Sequence, residues 1–276
     1  AGESARDGEA GKADGSDNWS YFTIRPDIRR CVFPLCGGEY VQRVNRSYTY
    51  CRGSWTAGEC YVSVMDWSRT GLGDDQIAGA LNSGYPVLVR GWTDDAYYDG
   101  FGNYGKFVAS ELWVANNADA PDGVYARVKN NGVRCFTTPC NSISEGKLNS
   151  WLYGNIAEVD FSASSATEDE LAKAYDAMAG NDGVMITGWR YWWREHNTWG
   201  AGRTAEQFFR RVVAAAPKCM VTGCSNQVCA PDPVVTTCED LPQYACYATA
   251  TCERQAGGEC GWTETPELTA CLEGSL

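Results

Sequence analysis

His196 is the sole histidine, so any Ser-His-Asp, Cys-His or imidazole-ligated metal chemistry must run through it. It follows Glu195 in an aromatic run from Trp189 to Trp199, and no recognisable nucleophile motif answers it elsewhere. An imidazole packed among rings accounts for it without catalysis. Gly100-Phe101-Gly102-Asn103-Tyr104-Gly105 spells G-x-G-x-x-G. A dinucleotide site needs a strand before that motif and a helix after it. Here an acidic aromatic loop precedes it and a strand-like run follows, so it reads as a flexible loop. Two sets of loop oxygens, Asp94, Asp95 and Asp99, and Asn117, Asp119 and Asp122, offer the hard ligands calcium takes, without EF-hand spacing. Asp and Asn are favoured in turns on backbone grounds alone. The expectation is no cofactor, with calcium as the alternative.

The residues best suited to recognition are aromatic. Trp92, Tyr97 and Tyr98 follow one Gly-Trp pair among Asp94, Asp95 and Phe101; Trp189, Tyr191, Trp192, Trp193, His196 and Trp199 follow or join another, with Arg190 and Arg194. Rings with polar tips and nearby donors give large contact area at low entropy cost, as binding of an extracellular glycan, peptide or protein requires. The competing account is that these rings roof the strands, since Trp and Tyr are usually substantially buried. Asp66, Asp160, Asn45 and Asn149 recur at matched places and read as hydrogen-bonding groups that fix the fold. No catalytic residue and no metal ligand is expected.

Fourteen cysteines remain. Cys31, Cys36, Cys51, Cys60, Cys135 and Cys140 are spread along the chain, and Cys219, Cys224, Cys229, Cys238, Cys246, Cys252, Cys260 and Cys271 crowd its end. A segment that short has too little core to offset chain entropy without covalent staples. Disulfides in an oxidising compartment are expected, with pairing left open among the last eight. The alternative is a four-thiolate zinc site formed by the two C-x4-C pairs, although zinc ligand pairs usually stand two to four residues apart.

The elements that must position these groups come in two matching sets. Tyr21 to Cys31 is answered by Tyr125 to Cys135, and the match runs ungapped to Asn45 and Asn149. Asp66-Trp67-Ser68 matches Asp160-Phe161-Ser162, and Val87 to Trp92 matches Val184 to Trp189. Such self-similarity predicts two units built to one plan. Alternating runs predict three strands, with a loop carrying Cys51 and Cys60 before the third. A short helix within Asp74 to Gly84 and a capping box at Thr167 to Glu170 precede an apolar strand in each set. The expected fold class is therefore α+β: two pseudo-symmetric β-β-β-α-β-β repeats packed together, plus a small disulfide-rich C-terminal module. The expected boundaries are a flexible acidic tether over 1–19, repeats over 20–116 and 117–216, and the eight-cysteine module over 217–276.

Composition narrows the compartment and the partners. Lys and Arg total 23 against 35 Asp and Glu, a net charge of −12, which repels nucleic acid and anionic lipid. No apolar run approaches a membrane span. The lack of an initiating Met is read as a removed export signal, giving an extracellular, periplasmic or cell-surface chain, with lipid anchoring upstream of Ala1 left open.

Cys224-Ser-Asn-Gln-Val-Cys229, Tyr244-Ala-Cys246-Tyr247, Gly258-Glu-Cys260-Gly-Trp262 and Leu268-Thr-Ala-Cys271 resemble the eight-cysteine-cluster domain of bacterial exported lipoproteins, especially myxobacterial ones. The duplicated part, through its C-x4-C pairs, Cys60-Tyr61-Val62, Asp66-Trp67 and Gly-Trp strand ends, resembles a domain of unknown function that often precedes that cluster. A fainter likeness links Cys238 to Trp262 with plexin-type cysteine-rich modules, departing at Thr263. The resemblance implies location and architecture and no mechanism. Three functions are carried forward: an exported binding or envelope-structural protein without turnover, an inhibitor of secreted proteases, and a hydrolase using His196 or loop carboxylates.

Overall fold

Strands form where the chain alternates or runs apolar. In the computed structural model, which describes residues 20–275 apart from Gly53, Ser54, His196 and Ala215, β1 (Ser20–Pro26), β2 (Glu39–Arg43), β3 (Thr49–Tyr50), β4 (Thr56–Ala57), β5 (Cys60–Val62) and β6 (Val64–Asp66) lead to helix α1 (Asp74–Leu81). β7 (Val87–Asp94), β8 (Tyr97–Tyr98), β9 (Gly102–Asn103) and β10 (Lys106–Ala115) follow. Next come β11 (Val124–Asn130), β12 (Ile143–Lys147), β13 (Tyr153–Ile156), β14 (Glu158–Asp160), helix α2 (Glu168–Ala179), β15 (Val184–Gly188), β16 (Arg190–Glu195), β17 (Thr198–Thr204) and β18 (Gln207–Arg211). The tether expected over 1–19 lies outside the described residues.

The expected α+β class is overturned. Strands dominate, and an 11-stranded sheet runs β13-β12-β11-β15-β18-β10-β7-β1-β2-β5, with β6 joining β10. Every ladder on that path is antiparallel, and only β6 pairs parallel. The reason lies at β10 and β18, which zip together through Trp113↔Arg211, Val114↔Arg210 and Ala115↔Phe209. Two units that would each have closed on their own helix are instead one sheet, and the helices are covers on it.

That sheet curls. β1 and β11 stand five steps apart along the ladder, roughly 24 Å in a flat sheet. Yet Asn149 Oδ1 accepts from Tyr21 N at 2.7 Å, and its Nδ2 donates to Tyr21 O at 2.7 Å and Val44 O at 2.9 Å. Asn45 reciprocates, accepting from Tyr125 N at 3.0 Å and donating to Tyr125 O at 2.7 Å and Leu148 O at 3.0 Å. Both asparagines are left-handed, with φ of 58° and 56°, a conformation Asn tolerates better than most side chains. The pair closes six strands into a tube.

Side-chain alternation then sorts three cores. Leu88, Trp113, Met185 and Phe209 fill the tube with Val44 and Leu148. Their neighbours on the same strands face outward: Val87, Val89 and Leu112 join Phe22, Phe107 and Ala80 of α1, while Val184, Ile186 and Phe208 join Val128 and Met178 of α2. Burial on both faces explains why these strands read as continuous apolar runs. The capping box forms, with Thr167 N donating to Glu170 Oε2 at 3.0 Å and Glu170 N donating to Thr167 Oγ1 at 3.3 Å.

A second compact unit begins at Ala215. It pairs β19 (Met220–Thr222) with β20 (Val228–Ala230), pairs β21 (Cys252–Arg254) with β22 (Cys260–Trp262), and ends in α3 (Pro266–Gly274). Disulfides Cys219–Cys260, Cys224–Cys238, Cys229–Cys252 and Cys246–Cys271 hold it. In the first unit Cys31 pairs with Cys36, Cys51 with Cys60 and Cys135 with Cys140. All fourteen thiols are thus consumed, which removes the zinc alternative.

Candidate functional site

Where Asn149 meets β1, the curled sheet leaves a cleft of about 920 Å3. Its walls carry Arg43, Arg46, Arg90, Arg127, Lys129 and Lys147 against one acid, Glu145. On a chain of net charge −12, that is a local inversion of sign. Period-two alternation on β11 builds one wall, because buried Ala126 and Val128 turn Arg127 and Lys129 to the opposite face.

Main-chain carbonyls, rather than carboxylates, hold three of these cations. Arg127 Nε donates to Asp182 O at 2.5 Å and its Nη2 to Asn181 O at 3.1 Å; Lys129 Nζ donates to Asn181 O at 3.1 Å; Arg46 Nε donates to Asn149 O at 2.9 Å. Among the described residues no ion pair forms at Arg46, Arg127, Lys129 or Lys147. Several other cations are neutralised, as Arg25 is by Glu59, Arg29 by Asp27, Lys106 by Asp94 and, in the cleft wall, Arg90 by Glu111. A carbonyl orients a cation without cancelling its charge. Burial, and then the like charge of Arg46, pull the Arg43 guanidinium below its usual value, although arginine stays protonated. Burial also pushes the Tyr21 hydroxyl on the cleft wall up to about 12, so it remains neutral.

Glu145 is spoken for. Buried on β12, it accepts from Arg203 Nε and lies 3.4 Å from Arg190 Nε, while Arg203 Nη1 donates to Gly188 O at 2.9 Å. Gly154 faces Glu145 across the ladder, and a Cβ there would stand 3.0 Å from Arg190 Nη2. The missing side chain is the space Arg190 occupies. Arg190 lines a smaller cavity of about 180 Å3 whose other walls include Lys147 and Tyr153, and both of these also line the main cleft.

From Arg190 the surface continues along a hairpin. Gly188, at φ 154°, ends β15, and a Cβ on it would collide with Thr204 O. The chain leaves the main sheet there, and β16 pairs with β17 in a separate three-stranded sheet with β14. Its register places Arg190, Trp192 and Arg194 on one face with Trp199. The opposite face carries Tyr191 and Trp193, whose rings fill the places of the missing side chains of Gly202 and Gly200. Tyr191 Oη donates to Glu158 Oε1 at 2.7 Å.

The sequence-predicted residues are therefore spread over three sheets. Trp92 lies on β7, Tyr97 and Tyr98 on the β8–β9 ribbon, and Tyr191, Trp192, Trp193 and Trp199 on the hairpin. Trp189 Nε1 donates to Asp122 Oδ2 at 3.3 Å, and Tyr98 Oη bonds Ser63 Oγ at 2.9 Å. His196 lies outside the described residues. Of the calcium candidates, Asp94 meets Lys106, Asp95 accepts from Asn103 Nδ2 and Asn117 Oδ1 accepts from Gln207 Nε2. Among the described residues no group of three or more acids, histidines or cysteines is arranged to hold a metal. Asp66 and Asp160 each bond a serine two residues on, Ser68 and Ser162.

The cleft cations, Trp151 and Tyr153 escaped the sequence reading. Their signal lay in departures from the internal match: Thr23 is answered by Arg127, and Ser47, two places past Asn45, by Trp151.

Seven disulfides fit a stabilised, extracellular-type protein, and no helix among the described residues is long and apolar enough to cross a membrane. Among curated proteins and among solved structures, nothing matches the chain. A family model described as a domain of unknown function, DUF6748, matches residues 20–215, the whole of the curled sheet and both of its helices, and the chain belongs to that family.

Proposed function

We propose that this is an exported binding module, without catalytic turnover, that captures an anionic ligand in the cationic cleft. One observation carries the reading: on an acidic chain, Arg46, Arg127 and Lys129 are held in one cleft by neutral carbonyls. Charges oriented this way attract an anion without first breaking an ion pair. The Trp192 and Trp199 rings of the hairpin fit the same reading, since they share a face with Arg190 and Arg194. The eight-cysteine segment over 217–276 would act as a disulfide-locked companion of the exported-lipoprotein type, and its four bridges suit that role.

The test is calorimetric titration of the full chain with inositol hexasulfate at low salt. Binding is expected and should weaken as sodium chloride is added. Arg46→Gln/Arg127→Gln/Lys129→Gln should abolish it, whereas Lys173→Gln on α2 should leave it unchanged. A wild-type chain that takes up no hexasulfate, or a triple variant that binds as well as wild type, would overturn the proposal.

A further inference from the structure

We infer that the ligand is an acidic polysaccharide, lying in the cleft and continuing over Tyr153 onto the Arg190 face of the β16–β17 hairpin. This rests on the anion-binding reading of the cleft and adds its polymer, its chemistry and its path.

The path rounds the edge strand β13, since Tyr153 lies opposite Gly146 on the cleft face and Gly154 lies opposite Glu145 on the face that holds Arg190. Lys147 and Tyr153 border both the large cleft and the small cavity that holds Arg190, and Arg190 begins the face that bears Trp192, Arg194 and Trp199. Cations and rings alternate along it. Trp151 and Tyr153 at the cleft are 82% and 83% exposed, and Trp192 and Trp199 on the hairpin are 61% and 66% exposed. Rings so bare contribute little to the fold, because exposed apolar surface gains nothing from folding.

Two of them are also held in place. A Cβ at Gly146 would stand 2.9 Å from the Tyr153 ring, so the ring lies over the bare strand with its other face outward. The Arg190 guanidinium sits 5.8 Å from the Trp192 ring centre and is tethered from beneath by buried Glu145.

A flat apolar face next to a fixed cation is complementary to a pyranose ring bearing an acid group. The ring's axial C–H groups lie on the aromatic face while its carboxylate or sulfate meets the guanidinium. An acidic peptide would use the cations and have no need of four bare rings. The ordered cation, ring, cation sequence favours the sugar polymer.

Binding of polygalacturonate to the full chain is compared with binding of poly-glutamate of equal charge and of single-stranded oligothymidylate. Polygalacturonate should bind tightest. Trp192→Ala/Trp199→Ala should weaken it by about tenfold and leave poly-glutamate unaffected. Trp151→Ser should do the same, while the hexasulfate affinity of the Trp192→Ala/Trp199→Ala variant stays at the wild-type value. Equal loss for poly-glutamate, no loss for polygalacturonate, or tighter binding of oligothymidylate would overturn the inference. Because inositol hexasulfate is too short to reach the hairpin, its retention alongside any of those results would remove the polysaccharide path and spare the cleft. Its loss from wild type would remove both.

Discussion

At matched positions the two wings of the sheet carry different chemistry. Val41 is buried beside Cys60 on the first wing, and the Cys51–Cys60 disulfide backs it; on the second, Glu145 is buried beside Gly154 with Arg190 in the gap. Phe107, facing Met65, is answered by Arg203, facing Val159. Arg25 is paired with Glu59, whereas its counterpart Lys129 donates to a carbonyl. One wing is stapled there, while the other holds a buried Glu145–Arg203 pair with Arg190 at its exposed end, an ion trio. Apolar residues of similar size usually stabilise at least as well as a buried ion pair, so stability alone gives no reason for the trio. What it supplies is a guanidinium held fixed at the surface, at the end of a groove of positive charge.

Exchanging residues between the wings tests that contrast most severely. Glu145→Val leaves Arg203 buried without its carboxylate and should cost about 3–5 kcal/mol, read from urea unfolding. Adding Arg203→Phe, which imports the first wing's pair, should restore wild-type stability. If the single change is silent, or the double change fails to rescue it, the wings do not differ as described.

A smaller and symmetric loss is expected at the seam. Asn45→Ala and Asn149→Ala each delete three hydrogen bonds to the main chain, so each should cost about 3 kcal/mol, at about 1 kcal/mol per bond. Markedly unequal losses in thermal unfolding would show that one wing alone carries the closure.

The smallest effect concerns acid. Its hydrogen bond to Arg29 holds the Asp27 carboxyl at about 2, below its ordinary 3.8, while the matched residue on the second wing is Asn131. A depressed carboxyl stabilises the folded state above its ordinary value, and that contribution fades as pH falls through its folded value. Asp27→Asn should therefore flatten the loss of stability between about pH 4 and pH 2. An NMR titration placing Asp27 near 4 would contradict this.

Much of the framework was legible because its causes are local. Apolar runs such as Val184-Met185-Ile186, the Thr167 capping box and the Cys51–Cys60 bridge each follow from neighbours in sequence. The joining of β10 to β18 was not legible, because nothing near Trp113 encodes a partner almost a hundred residues away. The matched asparagines were visible as structural residues, but not the fact that each grips the other's wing. The cleft was hidden for a related reason. Arg46, Arg127 and Lys129 look like ordinary solvated charges until the curl gathers them, and the tryptophans of the hairpin are far more conspicuous in the sequence.

Most barrels are sealed by a backbone ladder, in which every residue along the last strand contributes and no single side chain is decisive. Here the final join is made by side chains, the two amides and the Arg46 guanidinium, over a shared apolar core rather than by the register of a whole strand. A lineage that replaced either asparagine would keep its strand pairings and its bridges, yet lose the ring and the charged hollow beside it.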